Sequence, residues 1–278
     1  GEIAQVVGGE GAAGGALTPD DLRDLTRFNE AIDQSIAESV GRYTRQTKKS
    51  TDLFIGILGH DIRNPLGTIM MSTEVLIRSG QISAKSAAPI LNSALRINSI
   101  IEQVVDFTRA QADGVMPIVR TPGNLADQFF KVVQETQVRY PGRNLQLHSA
   151  GSFEGTWDEG RIGQLLSNLL GNAFLYGARD STVTVDLSST DKEVQFSVHN
   201  EGPPIPPADA QRIFEPMTRG TLNESGGERR EPTGLGLGLY ICKEIVLSHG
   251  GSLRVDSSAD KGTTFMVTLP RYAVPTSV

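Results

Sequence analysis

Apolar residues recur at steps of three and four along the first part of the chain, and this spacing is the strongest constraint on its fold. The repeat runs through Leu22, Leu25, Phe28, Ile32, Ile36, Val40 and Tyr43, then resumes at Phe54 and Ile57. Such a seam is typical of a coiled coil, because one long amphipathic helix needs a partner to be stable. We predict a coiled-coil helix over residues 18–52 that continues as helix to about Arg78.

A second long helix is expected after the break at Ser79 and Gly80. Its apolar stripe has the same spacing and comprises Ile90, Ala94, Ile97, Ile101, Val104 and Thr108. Two long helices joined by a short loop form an antiparallel hairpin, which we place at residues 53–114. One hairpin buries little of its stripe, whereas two hairpins make a four-helix bundle, so the pattern predicts a homodimer.

After Gly114, short strands and buried helices replace the long helical repeat. Strands are predicted near residues 145–148, 182–187, 194–198, 253–256 and 264–269, and helices over 158–176 and 235–247. This order indicates an α+β layer sandwich over residues 115–278. The polar segment 221–233 is typical of a functional lid or a disordered loop. Residues 1–17 are interpreted as a flexible linker or a cloning remnant.

The length, net charge and cysteine content of the chain limit the kinds of protein that it can be. The 278 residues suffice for about two domains, and the net charge of -6 argues against a nucleic-acid partner. The single cysteine, Cys242, excludes a disulfide framework and favours a reducing compartment, so we expect a cytoplasmic location. No apolar stretch has the length of a membrane segment. We expect the chain to be the downstream part of something longer, without its upstream sensor domain.

The first candidate site is a histidine in the predicted hairpin, His60. Asn64 lies four residues further on, so the two side chains share one helix face, with Asp61 next to the histidine. Pro65 cannot donate a hydrogen bond to the Asp61 carbonyl, and we expect the helix to bend there. A histidine beside a bend can accept a chemical group and pass it on. Alternatively, the segment is an ordinary polar helix face.

Paired asparagines and alternating glycines form further candidate sites. Asn168 and Asn172 share one face of an otherwise apolar helix, where their amides either bind Mg²⁺ or form a structural hydrogen-bond pair. Gly234, Gly236 and Gly238 open the last predicted helix. Their backbone N–H groups either approach phosphate groups or serve close packing, and the spacing matches neither a Walker A loop nor a dinucleotide fingerprint.

In this order, the clusters resemble the core of a sensor histidine kinase of two-component signalling, over about residues 18–270. The matching segments are similar to the H, N, G1, F and G2 boxes and the last glycine box of that family. They are, in the same order, His60 with its neighbours, Asn168–Tyr176, Asn200–Ile205, Ile213–Pro216, Gly234–Gly238 and Gly262–Phe265. The resemblance implies a HisKA-type dimerisation hairpin followed by a GHKL-type (Bergerat) α/β sandwich that binds ATP.

The resemblance also implies roles for the hairpin residues. His60 takes the γ-phosphoryl group of ATP and passes it to an aspartate in the receiver domain of a response regulator. Asp61 is the acid or base that activates the histidine. Asn64 positions water for dephosphorylation of the regulator, so phosphatase activity is expected as well.

Roles in the nucleotide site follow from the same resemblance. Asn172 and Asn168 hold Mg²⁺, Tyr176 packs against adenine, and Asn200 accepts a hydrogen bond from the adenine amino group. The remaining residues expected to bind ATP are the phosphate-cradling Gly234, Gly236 and Gly238, the cation Arg219, and the box residues Gly202 and Thr264.

Three departures from the family pattern predict weaker ATP affinity. Asn200 stands where aspartate is usual, Pro204 where glycine is usual, and Leu175 where a basic residue is common. These changes leave open a degenerate nucleotide-binding dimer that signals without autophosphorylation. A second alternative is another ATPase of the same fold, such as a chaperone or topoisomerase fragment, although those classes need no phosphoacceptor helix.

Overall fold

The computed structural model describes residue 34, residues 61–218 and residues 235–272. The last two ranges belong to one compact unit, Phe54–Val278. Outside the described residues lie the predicted linker at 1–17, the coiled coil at 18–52 apart from the helical Gln34, the loop at 221–233, His60, Arg219 and Gly234. The domain boundaries therefore stay predictions. Within the described ranges, no helix combines the length and the apolar content needed to cross a membrane.

The first described elements form the helical hairpin that the spacing predicts. Helix α1 spans Arg63–Arg78, and helix α2 spans Ala84–Asp113. Gly80, with a left-handed φ of 72°, makes the turn between them. The Ser83 side chain caps α2 by accepting a hydrogen bond from a backbone N–H of its first turn. Pro65 falls in the first turn of α1, where a missing N–H costs no helical hydrogen bond.

Part of the apolar surface of the hairpin is exposed in the part of the chain that the structure describes. Ala94 and Ile101 are buried. Six larger side chains remain between 41% and 70% exposed, and they are Ile69, Met71, Val75, Ile90, Leu95 and Ile97. Exposed apolar surface of this kind is what the spacing predicts for a hairpin that pairs with a second copy.

The rest of the described chain is an α/β sandwich built on a mixed five-stranded sheet. Its strands lie in the order β2 (Asn144–Ala150), β4 (Thr182–Ser189), β5 (Glu193–Asn200), β7 (Gly262–Pro270) and β6 (Ser252–Ser258). Strands β2 and β4 are parallel, and the other neighbouring pairs are antiparallel. Two short strands, β1 (Thr121–Asn124) and β3 (Glu154–Trp157), pair separately.

One face of the sheet is buried and the other faces solvent. On β5, Val194, Phe196 and Val198 enter the core, while Gln195 between them is exposed. This alternation is expected for largely antiparallel sheets with a single covered face. The helices packed in that core are α3 (Leu125–Arg139), α4 (Glu159–Tyr176) and α5 (Gly238–Ser248).

The structure differs from the sequence prediction in two respects. Elements α3, β1 and β3 were not predicted, although Asn124 caps α3 and Asp127 in its first turn suits the positive end of the helix. Helix α5, predicted to begin at Leu235, begins at Gly238 instead. Gly236 has a φ of 73°, and a left-handed residue cannot continue a right-handed helix.

His249, directly after α5, is fully buried with both ring nitrogens engaged. Its Nδ1–H donates to the Ile245 carbonyl at 2.8 Å, and its Nε2 accepts from the Asp158 backbone N–H at 3.2 Å. Only a neutral imidazole offers one donor and one acceptor. Burial lowers the pKa of His249, and the Arg120 charge adds to this, whereas the Ile245 carbonyl and the Asp158 carboxylate oppose it.

We expect the free energy of unfolding to fall as the pH drops below about 6.5, the usual histidine pKa in an unfolded chain. The unfolded state then takes up a proton that folded His249 resists. His249→Phe should remove the part of this acid-induced loss of stability that comes from His249. At neutral pH, the same change should lower the free energy of unfolding by ~1–3 kcal/mol, because the Asp158 N–H loses its acceptor.

Urea unfolding at neutral and mildly acidic pH measures both effects. Gln146→Ala, at an exposed and non-ionisable residue of β2, is the control and should keep the wild-type pH dependence. An identical acid-induced loss in wild type and His249→Phe would contradict the assignment of a neutral, buried imidazole.

Candidate functional site

A cavity of about 850 Å³ opens between α2, the second half of α4, the end of β5 and the start of α5. Six of the residues expected to bind nucleotide line it, and they are Asn168, Asn172, Tyr176, Asn200, Gly236 and Gly238. Gly202 and Thr264 are not part of its lining. Arg219 and Gly234 lie outside the described residues. The fold thus gathers side chains from three separate motifs into one concave site.

A polar stripe along α4 positions the two asparagines. Arg161, Gln164, Asn168 and Asn172 follow one another at steps of three and four, so they share one side of the helix, and Leu175 extends the line. Another side of the helix is apolar and buried, and it comprises Ile162, Leu165, Leu166, Leu169, Leu170 and Ala173. Because this apolar side is packed into the core, α4 is held in one rotational setting.

Asn168 contributes a buried polar atom that the described residues do not satisfy. Its Nδ2 is shielded from solvent and makes no hydrogen bond of ordinary geometry in the described part of the chain. The missing side chain of Gly238 leaves space beside it, since a Cβ there would lie 4.0 Å from Asn168 Cγ. A buried Nδ2 without a hydrogen bond of ordinary geometry indicates a place for a ligand atom or an ordered water.

Cys242 lies close to Asn168 but is not a nucleophile candidate. Burial raises the pKa of its thiol to about 12, and the Asn168 amide and the backbone offset this only in part. Its Sγ lies 3.8 Å from the Leu165 carbonyl oxygen. Since the thiolate is the reactive form, this cysteine is a packing residue at neutral pH.

The donors in the cavity fit a metal ion that arrives with a nucleotide. Among the described residues, no group of three or more His, Cys, Asp or Glu side chains is arranged to hold a metal. Asn168 and Asn172 offer two amide oxygens, which are hard ligands. Mg²⁺ usually completes its coordination with water and phosphate oxygens, so two amides and a triphosphate form a suitable set.

Asn200 ends β5 and is only 4% exposed. Its Nδ2 donates to the Glu201 carbonyl at 3.3 Å, which leaves the side-chain oxygen as the group that can accept from a ligand. The loop that follows is held by Ser257, whose Oγ accepts from the Ile205 N–H at 2.9 Å and lies 2.6 Å from Thr263 Oγ1. Thr263 is buried and lines the cavity.

The positions of Gly202 and Thr264 explain why they do not line the cavity. A Cβ on Gly202 would lie 2.7 Å from the Tyr176 carbonyl oxygen, so glycine lets the loop after β5 approach the end of α4. Thr264 lies on the other face of β7 from Thr263, and its hydroxyl is 2.9 Å from His199 Nδ1. Gly202 therefore supports the wall beside Tyr176, and Thr263 rather than Thr264 faces the cavity.

Three arginines that no motif singled out also line the cavity, namely Arg139, Arg143 and Arg179. Arg143 is anchored at the end of α4, where Nη1 donates to the Phe174 carbonyl and Nη2 to the Ala178 carbonyl, each at 3.2 Å. Its guanidinium carbon lies 5.0 Å from the centre of the Phe174 ring. These arginines have no regular spacing in sequence, so only the folded chain brings them together. They supply positive charge to a cavity in which Leu175 carries none.

The described candidate residues of the hairpin stand apart from this cavity. Asp61 and Asn64 are exposed at the start of the hairpin. No described residue of α1 lines the cavity, whereas Ser99 and Gln103 of α2 do. The structure therefore does not bring Asp61 and Asn64 together with the asparagines of α4.

Two stretches of the chain match known families. Residues 50–113 match the His Kinase A (phospho-acceptor) domain. Residues 157–273 match the family of histidine kinase-, DNA gyrase B-, and HSP90-like ATPases. The first match covers the helical hairpin and the second covers most of the α/β sandwich.

Relatives and a solved structure agree with these matches. A bacteriophytochrome from Pseudomonas aeruginosa is 30% identical over 256 residues, which is 92% of this chain and 34% of the relative. The sensor histidine kinase CusS from Escherichia coli is 31% identical over 258 residues, 91% of this chain and 50% of the relative. The chain thus spans between a third and a half of the length of these relatives. The crystal structure of full-length ShkA in complex with AMPPNP shares the fold, with a TM-score of 0.59 and 23% identity over 80% of this chain and 46% of ShkA.

A phospho-acceptor hairpin ahead of the ATPase domain argues against a chaperone or topoisomerase fragment, since those classes need no such helix. The hairpin, the sandwich and the asparagine-lined cavity occur in the order that the sequence motifs predict. Together with the two family matches, these features show that the chain carries the phospho-acceptor and ATPase domains of a sensor histidine kinase.

Proposed function

We propose that the chain is a histidine autokinase, which moves the γ-phosphoryl group of ATP to His60 and then to an aspartate in the receiver domain of a response regulator. The observation that carries this proposal is the cavity of about 850 Å³ in which residues of the nucleotide-binding motifs meet. A cavity of this volume suits a ligand of nucleotide size. The match of the second domain to ATPases supports ATP as that ligand.

The adenine end of the cavity is formed by Asn200 and Tyr176. The side-chain oxygen of Asn200 accepts from the exocyclic amino group of adenine, while its Nδ2 stays on the Glu201 carbonyl. Tyr176 lines the cavity and is 43% exposed, so its ring is available to pack against the base. An amide is neutral where an aspartate would be charged, and the hydrogen bond to adenine is correspondingly weaker.

The phosphate end lies between α4 and the start of α5. Backbone N–H groups near Gly236 and Gly238, at the positive end of α5, face the phosphates. Asn172 and Asn168 would hold Mg²⁺, which neutralises charge on the phosphate oxygens when bound. Arg219 and Gly234, from the segment before α5, are proposed to add to this cradle.

The transfer step requires a neutral imidazole, which is available near pH 7. A ring nitrogen of His60 forms the new bond to the γ-phosphorus as the bond to the β–γ bridging oxygen breaks, and ADP leaves. Asp61 stabilises the imidazolium that forms and takes up its proton. Because neighbouring helical residues do not face each other, this contact depends on side-chain reach and on a bend at Pro65.

Further roles are proposed for the hairpin and its surroundings. Asn64 positions the water that hydrolyses the phosphorylated regulator. The exposed apolar side chains of α1 and α2 pair two chains in a homodimer. The coiled coil at 18–52 transmits a rotation or register shift from an upstream sensor domain. A cytoplasmic location stays a prediction from the single cysteine.

A degenerate dimer that binds nucleotide without autophosphorylation is the second candidate. Leu175 in place of a basic residue and Asn200 in place of an acidic one favour it. The arginines that line the cavity supply positive charge, and the buried Asn200 supplies a hydrogen-bond acceptor. Both features favour the kinase instead.

Incubation of the chain with γ-labelled ATP and Mg²⁺ tests the proposal. We expect an acid-labile label that is absent from His60→Ala and about 100-fold slower to form in Asn172→Ala, because a charge-stabilising contact is lost. Asn98→Ala, at an exposed asparagine of α2, is the matched control and should label at the wild-type rate. Absence of label from wild type at millimolar ATP would favour the degenerate dimer.

Replacement of Asn200 by leucine, which has similar size and no acceptor, tests the adenine contact. We expect the Kd for ATP to rise about tenfold, because loss of one buried hydrogen bond costs ~1–3 kcal/mol. Gln195→Leu, on the exposed face of the same strand, is the control and should bind ATP like wild type. Calorimetric titration measures both affinities. Equal affinities in Asn200→Leu and wild type would contradict a hydrogen bond between adenine and Asn200.

A further inference from the structure

Two neighbouring strands carry the polar side chains at the proposed base end of the nucleotide cavity. Asn200 ends β5 and stands directly opposite Thr263 of β7 in the antiparallel register. The two side chains are only 4% and 5% exposed, and both line the cavity. Residues opposite each other on such strands have Cβ atoms ~5 Å apart, so one edge of a purine can meet both side chains. The hydrogen bonds that this pair can make therefore decide which bases the cavity accepts.

Neither side chain of this pair is charged. Among the described residues that line the cavity, Asp180 is the single carboxylate, and it is exposed in the turn after α4. A carboxylate can only accept hydrogen bonds, whereas an amide and a hydroxyl group both donate and accept. Asn200 and Thr263 can therefore present either a donor or an acceptor to a base.

The Asn200 amide can exchange its two ends at a modest cost. Its Nδ2 donates to the Glu201 carbonyl oxygen at 3.3 Å, which is longer than the ~3 Å typical of N–H···O bonds. In this orientation the amide oxygen accepts from an amino group at C6 of a purine. A half-turn about χ2 gives up the long bond to Glu201 and presents Nδ2 as a donor to a carbonyl oxygen at C6.

The Thr263 hydroxyl group can reverse its role as well. Its Oγ1 lies 2.6 Å from Ser257 Oγ, and either oxygen can be the donor. Ser257 Oγ also accepts from the Ile205 backbone N–H at 2.9 Å, which leaves its own hydrogen and one lone pair for Thr263. When Ser257 donates, the Thr263 hydrogen is available to a base. When Thr263 donates, its lone pairs can accept from a base instead.

The surrounding wall is apolar and selects for shape. Ile205, Ile213 and Phe265 line this part of the cavity. The Phe265 ring packs edge to face with Phe214, with ring centres 6.3 Å apart. Adenine and hypoxanthine are flat purines of nearly equal size, and packing on an apolar wall hardly distinguishes such bases. Discrimination between them therefore depends on the hydrogen bonds of the polar pair.

We propose that the cavity accepts purine nucleotides with a carbonyl oxygen at C6 as well as those with an amino group, and that Asn200 permits both. The inference rests on the proposed autokinase function and extends its phosphoryl donor beyond ATP. With inosine triphosphate (ITP), a ring nitrogen of His60 bonds to the γ-phosphorus as the bond to the β–γ bridging oxygen breaks. IDP leaves, and Asp61 takes up the proton of the imidazolium. The amino base stays favoured, because the half-turn of Asn200 loses the bond to Glu201.

ITP is the suitable probe, because its base differs from adenine only at C6 and N1. GTP carries an additional amino group at C2 and is a less direct test. Asn200→Asp is the decisive variant, since a carboxylate accepts from an amino group but cannot donate to a carbonyl oxygen. Gln146→Glu makes the same amide-to-carboxylate change at an exposed residue of β2 and is the matched control.

Calorimetric titration in the presence of Mg²⁺ gives the ratio of the Kd for ITP to the Kd for ATP. We expect a ratio of about ten in wild type, equivalent to ~1.4 kcal/mol. The ratio should exceed about 100 in Asn200→Asp, because a carbonyl oxygen then faces an acceptor. Gln146→Glu should give the wild-type ratio. Thr263→Val should change the ratio by less than about threefold, because the hydroxyl serves both bases alike.

The wild-type ratio decides the proposal without any variant. A ratio above about 100 in wild type overturns the inference and leaves the proposed ATP site intact. Binding of neither nucleotide overturns the inference and the proposed function together. Equal ratios in wild type and Asn200→Asp overturn the role of Asn200.

The second measurement is labelling of the full chain by γ-labelled ITP. We expect an acid-labile label that is absent from His60→Ala. At saturating nucleotide, its rate should lie within about threefold of the rate with ATP, because the difference between the bases affects KM rather than kcat. Label from ATP with none from saturating ITP would contradict the proposal.

Discussion

Burial of one side of α4 is the constraint on which the rest of the structure depends. Leucines and an isoleucine of this helix pack fully into the core against the sheet, so the helix cannot turn about its axis. Its polar stripe is thereby directed away from the sheet, and Asn168 and Asn172 line the cavity. A metal site made of two amides would be weak in isolation, and this rigidity would let the proposed site receive a magnesium–triphosphate complex in one geometry.

The same stripe connects the two parts of the molecule. Its first half is engaged by Asp106 of the hairpin, and its second half borders the nucleotide cavity. One helix face thus contacts the hairpin and borders the cavity that is proposed to bind nucleotide. This arrangement gives a direct physical route from the hairpin to the site, since a shift of α2 along α4 changes the contacts at Arg161 and the wall beside Asn168 together.

The sequence predicted the hairpin and the sandwich from local spacing. Of the residues that meet in the cavity, spacing singled out Asn168, Asn172 and the glycines, whereas the family resemblance supplied Tyr176 and Asn200. The sequence did not predict α3, although Asn124 and Asp127 mark the start of that helix, or the start of α5, which is delayed by the left-handed Gly236. Contacts between segments that are far apart in the sequence could not be predicted either. The packing of the elements decides which arginines line the cavity, that Thr263 faces it in place of Thr264, and that Asp106 pairs with Arg161. No periodicity in the sequence indicates this packing.

The central claim is that nucleotide occupies the cavity between α4, β5 and α5. Hydrogen–deuterium exchange of the full chain, with and without Mg²⁺ and AMPPNP, tests this most directly. The account predicts slower exchange in peptides that cover residues 164–178, 200–206 and 235–242, and unchanged exchange in the β1–β3 pair, which does not line the cavity. Slower exchange confined to other segments, or no change at saturating nucleotide, would contradict it.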